Sequence, residues 1–271
     1  MKSLGKALLG ITVLVLTLVA CSGEVADTGG TLETAAVSPR ANYIVVAKGS
    51  LKKDLAKVAA ARGDSVTFMS TGAGLASVVT SDPNAYARFG TVTRDVNVQW
   101  LQPTHNVAFE GAGAGAATGS PPFSELADGH FNYQWGHTAV RAVQAWDAEV
   151  TGKGVTVAVV DSGFDLTHPD LEPNIDFARS ANFVPGETLQ YAIADPLSHG
   201  SHTAGTIAAA MNGIGTIGVA PDATLMLVKV LSDEGSGSFT SVMQGIIHAA
   251  DNGADIINMS LGALLYKAGF W

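Results

Sequence analysis

The stretch Gly154-Val155-Thr156-Val157-Ala158-Val159-Val160-Asp161 decides the fold. A continuous apolar run of β type, closed by an acid, reads as a strand buried on both faces of a parallel sheet. Downstream, Thr203 to Met211 is alanine-rich and helical in pattern, and it follows Ser198-His199-Gly200-Ser201-His202. Leu225 to Leu231 reads as a second strand, Phe239 to Asn252 as an amphipathic helix stopped by Gly253, and Ala254 to Ser260 as a third strand. Strands alternating with helices imply right-handed βαβ units, hence an α/β doubly wound, mainly parallel sheet. Sites in such sheets gather at the carboxyl ends of the strands, where Asp161 falls.

Upstream, Ala41 to Trp100 has a different rhythm. Short β-type runs at Asn42–Ala47, Ser65–Met69, Leu75–Thr80 and Asp95–Trp100 flank a helix after Ser50, its expected N-cap, and a shorter helix from Ser81 to about Phe89. The order βαββαβ predicts a small ferredoxin-like α+β domain. Gly111 to Pro122 is glycine- and alanine-rich and reads as an open linker, where proteolytic nicking is least obstructed.

The N-terminus carries a processing signal. Lys2 and Lys6 precede an apolar run, Ala7 to Ala20, that is shorter than the roughly 20 residues needed to span a hydrocarbon core. It ends in Leu18-Val19-Ala20-Cys21, which resembles a bacterial lipobox. Cys21 is the only cysteine, so no intrachain disulfide is possible, and lipidation explains a lone cysteine in an exported chain. Ordinary signal cleavage nearby is the alternative. The expected organisation is a signal peptide at 1–20, a tether at 21–40, a small domain at 41–105, a linker at 106–130 and a second domain at 131–271. Export as a membrane-anchored lipoprotein, or release outside the cell after maturation, follows.

Composition excludes some partners. The 271 residues are 47% hydrophobic and 14% charged, with a net charge of −9, which argues against a phosphate-tracking surface and so against nucleic acid. Between 122 and 271 stand 5 basic and 16 acidic residues, whereas 41 to 110 holds 7 basic and 5 acidic. Opposite net signs favour association of the two parts, with ordinary solvated charge as the plainer reading.

Asp161 and His199 are the residues with chemistry. A carboxylate at a strand end can orient an imidazole and stabilise the imidazolium, leaving the other ring nitrogen as a general base. Taken singly, Asp161 also reads as a turn residue and His199 as a surface histidine at a helix start. His199 and His202 lack a third ligand at zinc spacing.

Several blocks, in order, resemble the subtilisin-like serine proteases: Val157-Ala-Val-Val-Asp-Ser-Gly163, Thr167-His-Pro-Asp-Leu171, His199-Gly-Ser-His-Thr-Ala-Gly-Thr206, Gly218-Val-Ala-Pro221, Val228-Lys-Val-Leu231 and Ile257-Asn-Met-Ser-Leu-Gly262. The similarity covers roughly Trp135 to Gly262. It implies Asp161 as orienting acid, His199 as general base and His202 as a structural histidine. Gly235-Ser-Gly237 and Ser260-Leu261-Gly262 then line an extended polypeptide substrate. Residues 41–105 resemble the family's propeptide, an intramolecular chaperone and inhibitor, with maturation bracketed between about Gly111 and Asn132. Asp170 and Asn212 match ligands of a structural calcium ion; no cofactor for catalysis is implied. The family's Gly-Thr-Ser-Met-Ala-like nucleophile block and its oxyanion asparagine have no counterpart here. The chain therefore reads as a truncated serine endopeptidase precursor, expected to be inactive alone, to fold poorly and to leave an apolar sheet edge. The alternative is an exported, non-catalytic module that binds or inhibits a protease.

Overall fold

The computed structural model describes residues 39–101, 128–193 and 198–263. The signal, Cys21, most of the tether and most of the linker lie outside the described residues. Among those described, no helix is long and apolar enough to cross a membrane.

The first unit is an antiparallel sheet with a helix on one face. Strands β1 (Ala41–Val46), β2 (Ser65–Ser70), β3 (Leu75–Thr80) and β4 (Thr91–Arg94) lie in the order β2-β3-β1-β4. Helix α1 (Asp54–Arg62) buries Leu55 and Ala59 against Val45, Ala76, Val78, Tyr86 and Phe89. It stops at Gly63, whose φ of 69° is left-handed and whose N–H caps the Ala59 and Ala60 carbonyls.

Three details differ from the sequence reading. Helix α1 starts at Asp54 without a side-chain cap, so Ser50 is not its N-cap. The helix expected over Ser81–Phe89 is a single 3-10 turn, Pro83–Tyr86. Thr80 Oγ1 accepts from the Asp82 N–H and Tyr86 OH donates to Asp64, which pins both ends of that segment. The sheet closes with Thr91–Arg94, not Asp95–Trp100; β5 (Asn97–Gln99) leaves the unit and pairs with the second one.

The second unit begins with a 3-10 turn (Phe131–Tyr133) and two short helices, α2 (Trp135–Ala139) and α3 (Ala142–Asp147). Strands β6 (Thr156–Asp161), β7 (Ala181–Asn182), β8 (Thr224–Lys229) and β10 (Ile256–Asn258) form a parallel sheet in the order β10-β6-β8-β7. Helix α4 (His199–Ala208) separates β7 from β8. After β8 come the edge strand β9 (Ser236–Ser238) and helix α5 (Phe239–Asp251), which leads to β10.

All six residues of β6 are buried, as a strand covered on both faces requires. Val157, Val159, Leu225 and Leu227 pack on one face with Ala204 and Ala208 of α4. Ala158, Val160, Met226 and Val228 face the other way, against Val242 and Ala249 of α5. Burying each such valine or leucine contributes about 1.5–3 kcal/mol, more than the roughly 1 kcal/mol span of strand propensity, so burial holds this sheet together. Ile256 and Met259 on and after β10 are exposed.

Candidate active site

Asp161 is the last residue of β6 and its side chain is fully buried. Its Oδ1 lies 2.8 Å from His199 Nδ1 and accepts from the Ser162 N–H at 2.7 Å, while Oδ2 is buried with no hydrogen-bond partner. His199 is the first residue of α4. Ser198 caps that helix by accepting from the Ser201 N–H, and its own hydroxyl donates to the Gly163 carbonyl at 2.7 Å. One serine thus bolts the helix start to the turn after β6.

Gly200 makes the approach possible, since a Cβ there would stand 2.8 Å from the Gly163 oxygen and 2.9 Å from the Phe164 ring. The Asp161 hydrogen bond raises the His199 pKa above the ordinary imidazole value, against the opposing effect of burial, and the carboxylate's charge adds to the rise. The pair can therefore hold a proton on Nδ1 and offer Nε2 to a hydroxyl. His202 lies one turn into α4.

The two backbone segments flank an occupied groove. β9 pairs antiparallel with β5, matching Asn97 to Ser238, Val98 to Gly237 and Gln99 to Ser236. Beyond the ladder, the N–H groups of Trp100 and Leu101 both donate to the Gly235 carbonyl, at 2.9 and 3.1 Å. On the other side, the Gly262 N–H donates to the Trp100 carbonyl at 3.2 Å. Trp100 stands edge-on to Phe239 with ring centroids 4.8 Å apart, its Nε1 donates to the Gly237 carbonyl, and Leu261 packs in the same apolar cluster. Ser260 Oγ accepts from Asn258 Nδ2.

Asp170 is buried; its Oδ2 accepts from the Thr216 N–H, and its Oδ1 has no partner. Asn212 lies across the same loop, donating to the Pro169 carbonyl and accepting from the Ile214 N–H. The structure adds a residue that the sequence reading missed. Asp128, also buried, accepts from the N–H groups of Asn212 and Gly213. It falls inside the stretch read as linker, and nothing in its local pattern marks it.

The contact between the units is not made by ion pairs: among the described residues, every ion pair lies within one unit. The interface is instead made by the β5–β9 ladder, a hydroxyl and amide chain through Asn42, Ser77 and Thr240, and Asp95 at the start of α5.

Part of this chain is similar to known proteins. Residues 152–269 match the Subtilase family. Subtilisin E of Bacillus subtilis (strain 168) is 48% identical over 128 residues, 47% of this chain and 32% of that protein. Subtilisin Savinase of Lederbergia lenta is 48% identical over 129 residues, 48% of this chain and 45% of that protein. The chain thus spans less than half the length of these relatives. Among solved structures, fervidolysin from Fervidobacterium pennivorans, a keratinolytic enzyme related to subtilisin, superposes with a TM-score of 0.59 at 24% identity. That match covers 84% of this chain and 37% of fervidolysin, and it shows a shared fold.

Proposed function

We propose that this chain is a fragment of the precursor of an exported serine-type endopeptidase of the subtilisin kind, with residues 41–105 as its intramolecular chaperone and inhibitor. One observation carries the reading: Asn97–Gln99 runs extended along β9, and Trp100 continues it between Gly235 and Gly262, in a groove bounded by the two segments expected to bind substrate. This is β-augmentation, in which main-chain hydrogen bonds give affinity and side-chain seats, such as that of Trp100, give selectivity.

In the proposed mechanism Asp161 holds the Nδ1 proton of His199 and stabilises the imidazolium. His199 Nε2 takes the proton of a serine hydroxyl as its oxygen bonds to the peptide carbonyl carbon. The same proton then passes to the departing amine as the C–N bond breaks, and water resolves the ester by the reverse roles. No nucleophile block and no oxyanion asparagine occur among the 271 residues. Lack of the asparagine alone costs about 10²–10³ in rate. The chain by itself is therefore not expected to cleave peptides.

Asp170, Asn212 and Asp128 fit a hard cation such as calcium, because they present only oxygen donors and Asp170 Oδ1 is buried without a partner. Its role would be to brace the 212–216 loop, not to take part in the chemistry. Cys21 is proposed as the lipid anchor; C21S should move the chain from the membrane to the soluble fraction.

A fluorophosphonate probe tests the catalytic reading. It should leave the 271-residue chain unlabelled, and should label a chain extended by the part of subtilisin E that this sequence does not span. H199A should abolish that labelling. A folded, extended chain that stays unlabelled would refute the proposal.

A further inference from the structure

Lys229 ends β8 directly opposite Asp161 in the parallel register, and its side chain is wholly inaccessible to solvent. A buried ammonium persists only where carboxylates compensate it. Two do so: Nζ contacts Asp233 Oδ1 and lies 2.9 Å from Glu187 Oε2. Glu187 belongs to the segment after β7, and Asp233 to the turn that leads into β9. Asp233 ties these parts together, since its N–H donates to Glu187 Oε2 at 3.1 Å and its Oδ2 accepts from the Ala192 N–H at 2.8 Å. The cluster also lies against Gly163, two residues past Asp161, where a Cβ would stand 2.7 Å from Nζ.

The turn carrying Asp233 presents the peptide-pairing edge. Its backbone is closed by the Gly235 N–H donating to Ser232 O at 2.8 Å and the Ser232 N–H donating to Ser236 O at 2.7 Å. Among the described residues β9 pairs only with β5, and with no strand of the parallel sheet. When β5 is absent, something other than a ladder must keep this edge in register.

We propose that Lys229 is a positioning residue that, through Asp233 and Glu187, fixes the edge Gly235–Ser238 relative to the Asp161–His199 pair. The inference rests on the peptide-groove reading given above. Main-chain pairing depends on alignment, so the lysine sets how well any extended peptide is held beside His199 without touching that peptide itself.

Hydrogen exchange and imidazole NMR on the full 271-residue chain test this. In D233N and in K229M the Trp100 and Leu101 amides should exchange about tenfold faster or more, as a local opening, while β6 and β8 amides change less than about twofold. K229R, whose guanidinium fork can serve both carboxylates, should restore protection. The low-field His199 Nδ1 proton should keep its position in D233N. Should K229M not fold, D233N and E187Q decide, because Asp233 and Glu187 lie nearer the surface. Unchanged Trp100 and Leu101 amides in D233N would overturn the proposal. So would equal exposure in K229M and K229R, or uniform acceleration through β6 and β8. Unprotected Trp100 and Leu101 in the unsubstituted chain would instead sink the groove reading, and this inference with it.

Discussion

Asp95 stands at the N-terminus of helix α5, with its Oδ1 3.1 Å from the backbone nitrogen of Phe239. Its Oδ2 accepts from Asn42 Nδ2 at 2.9 Å, so one carboxylate links β1 of the first unit to a helix of the second. A negative charge at a helix start both accepts from a backbone N–H and interacts favourably with the macrodipole. D95A should weaken the association of the two units by about 1 kcal/mol. Faster limited proteolysis between the units, with the far-ultraviolet circular dichroism preserved, is the expected reading; an unchanged digestion rate would refute it.

His199 should titrate above the ordinary imidazole value of about 6.5, because its hydrogen bond to Asp161 favours the charged ring. The linked stability follows in sign. It is fully present below the unfolded value and is lost as pH rises through the higher folded value. D161N removes the charge and should lower the midpoint of the His199 ring-proton titration, followed by NMR. A midpoint equal in both proteins would contradict the assigned contact.

Asp64 anchors the first unit. Burial alone would push its carboxyl up, but hydrogen bonds from Tyr86, Thr80 and Arg62 outweigh that and hold it below the usual carboxylate value. Its contribution is therefore complete above about pH 4 and is lost as pH falls through the depressed folded value. Y86F removes a hydrogen bond to a charged group and should cost about 1.5–3 kcal/mol at neutral pH. The loss of stability below about pH 4 should also shrink, since Asp64 then titrates nearer its unfolded value. Denaturant melts at two pH values check both effects.

Calcium should raise the thermal midpoint of the chain, with a gain of about 2.7 kcal/mol once the ion exceeds its dissociation constant a hundredfold. D128N and D170N should each abolish most of that calcium-dependent gain and move the apo midpoint far less. A calcium response that survives in D170N would place the ion elsewhere.

How much of this was legible depends on where the signal lies. The run Val155–Asp161 names its own structure because every residue but Thr156 is apolar up to the acid, and a strand buried on both faces follows from that pattern. The Asp161–His199 contact joins residues 38 apart, and the flanking blocks rather than either residue made it readable. Asp95–Trp100 misled because alternation fits any edge strand; periodicity does not say which sheet the strand joins. Asp128 was invisible for a related reason. A carboxylate that accepts two loop N–H groups shows its role only once residues 212 and 213 are brought to it. Lys229 was read as part of a family block, and its complete burial could not be inferred from a cation in an apolar strand.

The pairing of β5 with β9 sets a concentration scale for the groove. Because Asn97–Leu101 belongs to the same chain as Gly235 and Gly262, it meets them at an effective concentration set by the chain that joins them and not by dilution. A free peptide of equal affinity would have to exceed that to displace it. A single cut anywhere between 102 and 127 turns the contact into an ordinary bimolecular one. Occupancy of the groove then falls with dilution, so the same hydrogen bonds that close it in the intact chain would let it empty after one backbone break.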